Sequence, residues 1–291
     1  MSDLNDIYIA NALTTLAASD LVYIYEDPGG VDADAGIDKA DLFAQIMDEL
    51  LVEYGSNTVW DSTTGYHVEP GMRRIEGATL EWSSNITKAG LSPTNNTLYY
   101  IYLYDNSGTA AVEESTTVPV WNTTYLQWVK TGDTSRRCIN YYVSDLAGNT
   151  IRKFLSILNG STIENIGLDG LMTTDRRVLA AGSQTGSWTS VDVSTFVPLQ
   201  ATHSYMIPKI GSASAGDEAT LGISPIDLSA VVAGNAPWNF RGSIEANNDI
   251  ISPGGVWFPI STAQTHYYRL ADNTGTGGVA YIECDGARFN I

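Results

Sequence analysis

Two tyrosine-rich runs, each closed by the same kind of turn, limit this chain more than any other feature of its sequence. The first is Tyr99-Tyr100-Ile101-Tyr102-Leu103-Tyr104, followed by Asp105-Asn106-Ser107-Gly108 and Ala110-Ala111-Val112. The second is Cys138-Ile139-Asn140-Tyr141-Tyr142-Val143, followed by Asp145-Leu146-Ala147-Gly148 and Ile151. Aromatic and β-branched residues suit the pleated, half-buried surface of a strand. Asp opens a turn through its side-chain oxygen, and Gly supplies the positive φ that reverses the chain, so both runs predict hairpins.

The first run is apolar on both faces. Leu98, Tyr100, Tyr102 and Tyr104 fall on one side; Tyr99, Ile101 and Leu103 fall on the other. A strand with one wet face alternates apolar with polar residues. Two arrangements therefore fit. Either this is a central strand covered on both sides, or the face of Tyr100, Tyr102 and Tyr104 meets another subunit, where a ring bearing a hydroxyl tolerates water.

From Trp60 onward the pattern is of strands and turns. Strands are predicted at 66–69, 72–76, 78–82, 98–104, 110–115, 125–129, 137–143 and 150–155. After a link at Leu158-Asn159-Gly160-Ser161-Thr162 and an opening at Gly186–Val193, they continue at 203–209, 219–224, 228–232, 238–244, 256–260, 265–271 and 278–284. Short strands at this spacing predict sandwich or jelly-roll architecture. No internal repeat is present, which disfavours a solenoid, a propeller and a stacked β-helix.

The amino end differs. After the apparent strand Leu21–Tyr25, residues Leu42, Phe43, Ile46, Met47, Leu50, Leu51 and Tyr54 recur at helical spacing, with Asp38 or Asp41 as N-cap and Gly55 as stop. The face of Leu42, Phe43, Ile46 and Leu50 must be covered, by the adjacent strand or by the same helix in sister subunits. The expected fold is thus mainly β: a small α+β N-terminal segment over 1–60, then two β-sandwich or jelly-roll-like domains over 61–158 and 159–291.

Charge narrows the partners. The net charge is −18, which argues against nucleic acid, whose phosphates need clustered Lys and Arg, and against an anionic membrane surface. Residues 1–61 hold 13 acidic side chains against Lys39 alone, whereas the remainder holds 20 acidic and 14 basic. An acidic leader on a near-balanced body suggests two parts with different partners, or acidity that simply keeps the segment soluble. The opening Met1–Asp6 lacks the features of a signal peptide, and no run approaches the ~20 apolar residues that span a bilayer, so no membrane insertion is expected. Two cysteines, Cys138 and Cys284, make no disulfide framework. They read as buried thiols of a protein made in a reducing cytoplasm.

Signatures of chemistry are few. His67, His203 and His266 show no metal-ligand spacing, and no nucleophile elbow or phosphate loop occurs. Asp32-Ala33-Asp34-Ala35-Gly36-Ile37-Asp38 loosely follows a calcium loop, but its Gly comes one residue early and Phe43 stands where the twelfth-position Glu belongs. Glu81, Glu113, Glu114, Asp192 and Glu245 lie near aromatic residues, and paired carboxylates for glycoside hydrolysis follow no spacing rule. Trp121, Trp128, Trp188, Trp238 and Trp257 could stack on sugars or fill a core. The expectation is no catalytic residue, no cofactor and no metal.

Residues 99–121 and 129–154 together resemble a β-rich segment common in fibre and appendage proteins of tailed bacteriophages. Asp20–Asp27, followed by a Gly-rich turn and Ile37-Asp38-Lys39-Ala40-Asp41-Leu42, resembles the opening of many phage tail and fibre proteins. The resemblance implies a non-enzymatic virion component synthesised in the host cytoplasm. It implies a homotrimer docked to other virion proteins through residues 1–60, with a distal domain that contacts neighbouring subunits or a host surface glycan. The rivals are a head decoration or neck protein and, from another class, a glycan-binding or glycan-degrading β-sandwich.

Overall fold

The computed structural model describes residues 53–159, 162–168, 176–183, 187–212, 218–229, 232–243, 250–261, 263–272 and 278–290. The chain divides after Val52. The expected strand Leu21–Tyr25, the Asp32–Asp38 loop and the helix face of Leu42, Phe43, Ile46 and Leu50 lie outside the described residues. The last member of the helical stripe does not. Tyr54 forms a short strand with Gly55, paired to Met72 and Gly71, so pairing in the folded body overrides the local helical period at that end.

The body from Glu53 is mainly β and sandwich-like, and its pairings are antiparallel. It opens with β1 (Tyr54–Gly55), β2 (Thr58–Ser62), β3 (Gly65–Val68) and β4 (Gly71–Ile75), followed by β5 (Ala78–Trp82) and β6 (Ile86–Lys88). Two small sheets result, ordered β1-β4-β5 and β2-β3-β6. Residues 54–60, expected in the attachment segment, thus belong to the β body.

A five-stranded sheet follows, built from β7 (Leu98–Asp105), β8 (Ala110–Ser115), β9 (Pro119–Asn122), β10 (Gln127–Lys130) and β11 (Asp133–Val143). Its order is β8-β7-β11-β10-β9. The two tyrosine runs are its central neighbours β7 and β11.

Next come β12 (Phe154–Asn159), β13 (Thr162–Gly167), β14 (Arg177–Ser183), β15 (Thr189–Asp192), β16 (Ala201–Ser212), β17 (Glu218–Ser224), β18 (Trp238–Ser243), β19 (Ile250–Ile251), β20 (Val256–Pro259), β21 (Thr265–Asp272) and β22 (Gly278–Asn290). One sheet runs β12-β13-β22-β16-β19, with β14 also on β22 and β20 also on β16; the facing set runs β15-β21-β17-β18. Of the expected strand at 228–232, residues 230 and 231 lie outside the described residues; the Ser229 amide before them donates to Asp227 Oδ1 at 2.8 Å in a turn, and a short 3-10 turn follows at Ala233–Asn235.

Both faces of β7 are covered. Ile101 and Leu103 join Ile139, Tyr142, Tyr66, Trp82 and Phe154 in one core. Tyr100 and Tyr102 join Cys138, Tyr141, Met206, Leu221, Ile282 and Phe289 in the other. The five-stranded sheet is therefore a wall shared by two cores, one of them built with the C-terminal strands. The link expected at Leu158–Thr162 lies between β12 and β13, which pair from Phe154↔Gly167 to Asn159↔Thr162.

A bulge sets this sharing. The β7–β11 register slips between Cys138 and Asn140, breaking the two-residue alternation of a strand. Cys138 and Tyr141, three apart, then face one core, while Ile139 and Tyr142 face the other. Asn140, fully buried, supplies the missing bonds. Its Oδ1 accepts from the Tyr141 amide at 2.8 Å and its Nδ2 donates to Ser156 Oγ at 2.8 Å.

Candidate interaction surface

The tyrosine face proposed for a subunit contact is interior. Tyr100 and Tyr102 are 4% and 0% exposed. Burial pushes the Tyr100 hydroxyl up to about 12, and burial foremost, with Cys138 next, raises that of Tyr102. The Tyr102 hydroxyl donates to the Thr117 carbonyl at 2.5 Å. Tyr104 is half-buried, its ring 3.9 Å from the Arg136 guanidinium. Of the two arrangements the sequence allows, the structure has the strand covered on both sides.

Exposed apolar side chains gather instead on the β9–β10 hairpin. Val118, Val120, Trp121, Tyr125 and Leu126 are 40%, 47%, 42%, 38% and 69% exposed. Trp121 and Trp128 pair across the strands, ring centroids 5.5 Å apart and edge to face. The loop is formed by Asn122, whose Oδ1 accepts from the amides of Thr124 and Tyr125 at 2.9 and 3.0 Å. This is the Asx arrangement that makes Asn a turn former. Leu126 takes φ +53 to re-enter the strand, which leaves its side chain in solvent.

The hairpin base is anchored on both sides. The Thr131 hydroxyl donates to the Val118 carbonyl at 2.6 Å, and Lys130 pairs with Glu113 at 2.8 Å. Charge stops there, because Ser115 through Val129 contains no acidic or basic residue. That uncharged run, bounded by Glu114 and Lys130, was the available sequence signal. Pro119 masked it, since Pro argues against an interior strand and is admitted at the edge.

The acids considered for hydrolysis are engaged locally. Glu81 accepts from Tyr54 at 2.5 Å, Glu114 from Tyr66 at 2.6 Å, and Asp192 from the Ser194 amide at 2.8 Å. Glu113 sits between Lys130 and Arg136, and Glu245 lies outside the described residues. Among the tryptophans, Trp188 is buried, while Trp238 packs on Phe258 and Trp257 on Tyr205.

The histidines stand apart. His67 bonds Asp61 at 2.7 Å and His203 bonds Thr202 at 3.1 Å. His266, fully buried, shares a 2.8 Å hydrogen bond between Nε2 and Ser204 Oγ. Among the described residues no cluster of His, Cys, Asp and Glu could hold a metal ion. Cys138 and Cys284 are buried free thiols, each pushed up to about 12 by desolvation.

Two buried ion-pair groups remain. Lys209 pairs with Glu283 at 2.5 Å, both side chains 3% exposed or less, and Arg176 pairs with Asp285. Beside the latter lies a cleft of about 30 Å³, lined by Tyr141, Arg152, Arg176, Phe196 and Cys284 among others. That is room for a water or two, far below the ~300 Å³ of a small-molecule site.

At the start of the body, Glu53 is held in a two-pronged grip by Arg137, with Nη2 to Oε2 at 2.8 Å. It also accepts from the Arg74 amide at 2.9 Å and lies 3.7 Å from Arg73. Burial alone would raise the Glu53 carboxyl. The bond and charge of Arg137, the Arg74 amide and the charge of Arg73 outweigh it and hold the group below its ordinary value. The first described residue is thereby fixed to β4 and β11.

No family model and no curated protein matches this chain. Among solved structures, a tryptic core variant of Cry1Da from Bacillus thuringiensis is similar at 10% identity and a TM-score of 0.20, over 81% of this chain and 52% of that one. The chain spans about half the length of that protein, and a likeness this slight carries no conclusion about fold or function.

Proposed function

We propose that this chain is a structural component of a tailed-phage particle, a fibre or appendage protein that docks through its N-terminal segment and assembles with further copies of itself. One observation carries the reading beyond the sequence resemblance. Five exposed apolar side chains, Val118, Val120, Trp121, Tyr125 and Leu126, share one anchored, charge-free hairpin, while Glu81, Glu113, Glu114, Asp192 and the three histidines are tied into local bonds. That division suits a building block that contacts other macromolecules better than a catalyst, which needs converging polar groups around a cleft. The fibre resemblance implies three copies, other virion proteins at the amino end, and a host surface glycan as a distal partner.

Labelling intact particles with antibody to the full chain tests this reading. Label on the tail or its fibres supports it. Label on the head or neck favours the decoration or neck protein, and absence from particles overturns both. A chain lacking residues 1–52 should keep its β body folded and fail to enter particles, since the body begins at Glu53.

The exposed rings of Trp121 and Tyr125 favour one second reading, a glycan-binding surface. Release of reducing sugar from host polysaccharide, abolished by changing Glu113 or Glu114, would convert that reading to a glycan-degrading enzyme.

A further inference from the structure

We infer that β9 is a self-recognising edge: it pairs antiparallel with β9 of a second copy of this chain, about a two-fold axis. Among the described residues the strand has one neighbour, β10, and forms the end of its sheet. Its outer main-chain groups have no strand partner among those residues, and such an edge is a template for another strand.

Side chains agree with the backbone. Successive residues of a strand point to opposite faces, yet Val120 and Trp121 are both more than two-fifths exposed. The strand thus overhangs its core, with apolar groups open on both sides. Folded proteins blunt such edges with charge. The opposite edge of the same sheet, β8, is blunted in this way by Glu113 and Glu114, which pair with Lys130 and Lys88. β9 carries no charge, and only Pro119 at its start shortens the available ladder.

Two features select a second copy as the occupant. Chains of net charge −18 repel one another, so copies can approach closely only through a neutral patch, and Ser115–Val129 is one. Val118, Val120 and Leu126 are also side chains that pack against a protein strand and add little to recognition of a sugar, which uses ring faces and polar groups. An edge meeting its own copy antiparallel satisfies both partners at once and closes the assembly. A hairpin tip is smaller than the ~800 Å² per partner of a stable complex, so the association should depend on concentration in the micromolar range.

The contact is independent of the appendage reading, and its two-fold symmetry differs from the threefold one that the resemblance implies. Sedimentation equilibrium of the full chain should show a monomer–dimer equilibrium. Val120→Lys and Leu126→Glu should each weaken it at least tenfold without moving the urea midpoint, because both residues are exposed. Antiparallel pairing about a two-fold places one residue of β9 opposite its own copy. Either Val120→Cys or Trp121→Cys should therefore form a disulfide-linked dimer under mild oxidation, against a wild type whose two thiols are buried.

A wild type that stays monomeric, or an oligomer indifferent to Val120→Lys, overturns the inference. So does a trimer in which neither cysteine cross-links, although it leaves the appendage reading intact. A monomer whose tryptophan emission shifts with added dextran assigns the hairpin to a carbohydrate instead. Absence from particles, by contrast, would remove the appendage reading and leave this contact untouched.

Discussion

The side-chain amide of Asn165 donates to Asn140 Oδ1 at 3.1 Å and to the Tyr141 carbonyl at 2.7 Å. Asn140 sits at the β11 bulge and Asn165 on β13, and both are buried. Asn140 also reaches Ser156 on β12. A buried polar network of this kind is specific because each member left without a partner is costly. It sews the tyrosine sheet to the C-terminal sheet at the place where the two cores meet.

Replacing Asn140 by Leu should therefore destabilise the whole body. The change strips partners from Ser156 Oγ and the Tyr141 amide, at about 1–3 kcal/mol for each buried polar group left unsatisfied. A total loss of about 2–4 kcal/mol is expected. Urea unfolding followed by tryptophan emission should show a single transition at a lower midpoint. Two separated transitions would mean that the halves on either side of residue 158 fold independently.

Glu53→Gln should weaken the amino end of the body. The variant leaves Arg73 and Arg137, 1% and 5% exposed, without their shared carboxylate, and breaking a buried pair on one side typically costs ~3–5 kcal/mol. Because Glu53 is 26% exposed, about 2 kcal/mol is the expected loss after screening by solvent. The wild-type carboxyl titrates below its ordinary value of 4.5 in the folded protein. Its contribution is therefore complete above about pH 4.5 and disappears as pH falls further. Hydrogen exchange of the β1 and β4 amides should rise in the variant at neutral pH.

Much of this architecture is legible in the sequence, and the failures have physical causes. The tyrosine runs are strands because aromatic and aliphatic side chains suit a pleated surface, but their two-sided apolarity leaves a covered centre and a subunit contact equally open, and only the sheet order decides between them. β9 is missed because Pro119 opens it. The end of β12 and the start of β13 read as a link at Leu158–Thr162 because Asn159-Gly160 dominates the local pattern. The bulge at Cys138–Asn140 is invisible because a single extra residue changes facing without changing composition. The exposed hairpin is legible as an uncharged run, but whether Val120 and Trp121 end in a core or in water depends on the sheet order, which is set by pairings distant in sequence.

Tyr102 separates anchoring from filling. Its ring is in the shared core and its hydroxyl reaches Thr117, two residues before β9 begins. Tyr102→Phe keeps the ring and loses one bond, at about 1 kcal/mol. It should raise proteolytic nicking at the hairpin while sparing the rest of the body. Tyr102→Ala leaves a cavity and should cost about 3–5 kcal/mol. Equal midpoints for the two variants would show that the hydroxyl, and not the ring, is what matters.

Acid sensitivity should begin well above the Glu53 window, and His266 is the reason. Its ring is fully buried on β21, bonded to Ser204 on β16 and edge-on to Phe258 at 6.0 Å. Burial pushes its pKa down to about 4, partly offset by a backbone bond at Ser224. In the unfolded chain the same ring titrates near 6.5. Between those values the unfolded state holds the extra proton, so acid favours unfolding. Stability is thus complete above about pH 6.5 and falls as pH drops toward 4, where the folded state also takes the proton. A difference of this size corresponds to roughly 3 kcal/mol across the window, at 1.36 kcal/mol per unit. His266→Gln should be less stable at neutral pH yet lose less between about pH 6.5 and 4.5. Urea midpoints collected across that range decide the matter: an equal slope in wild type and variant would assign the acid response to other groups.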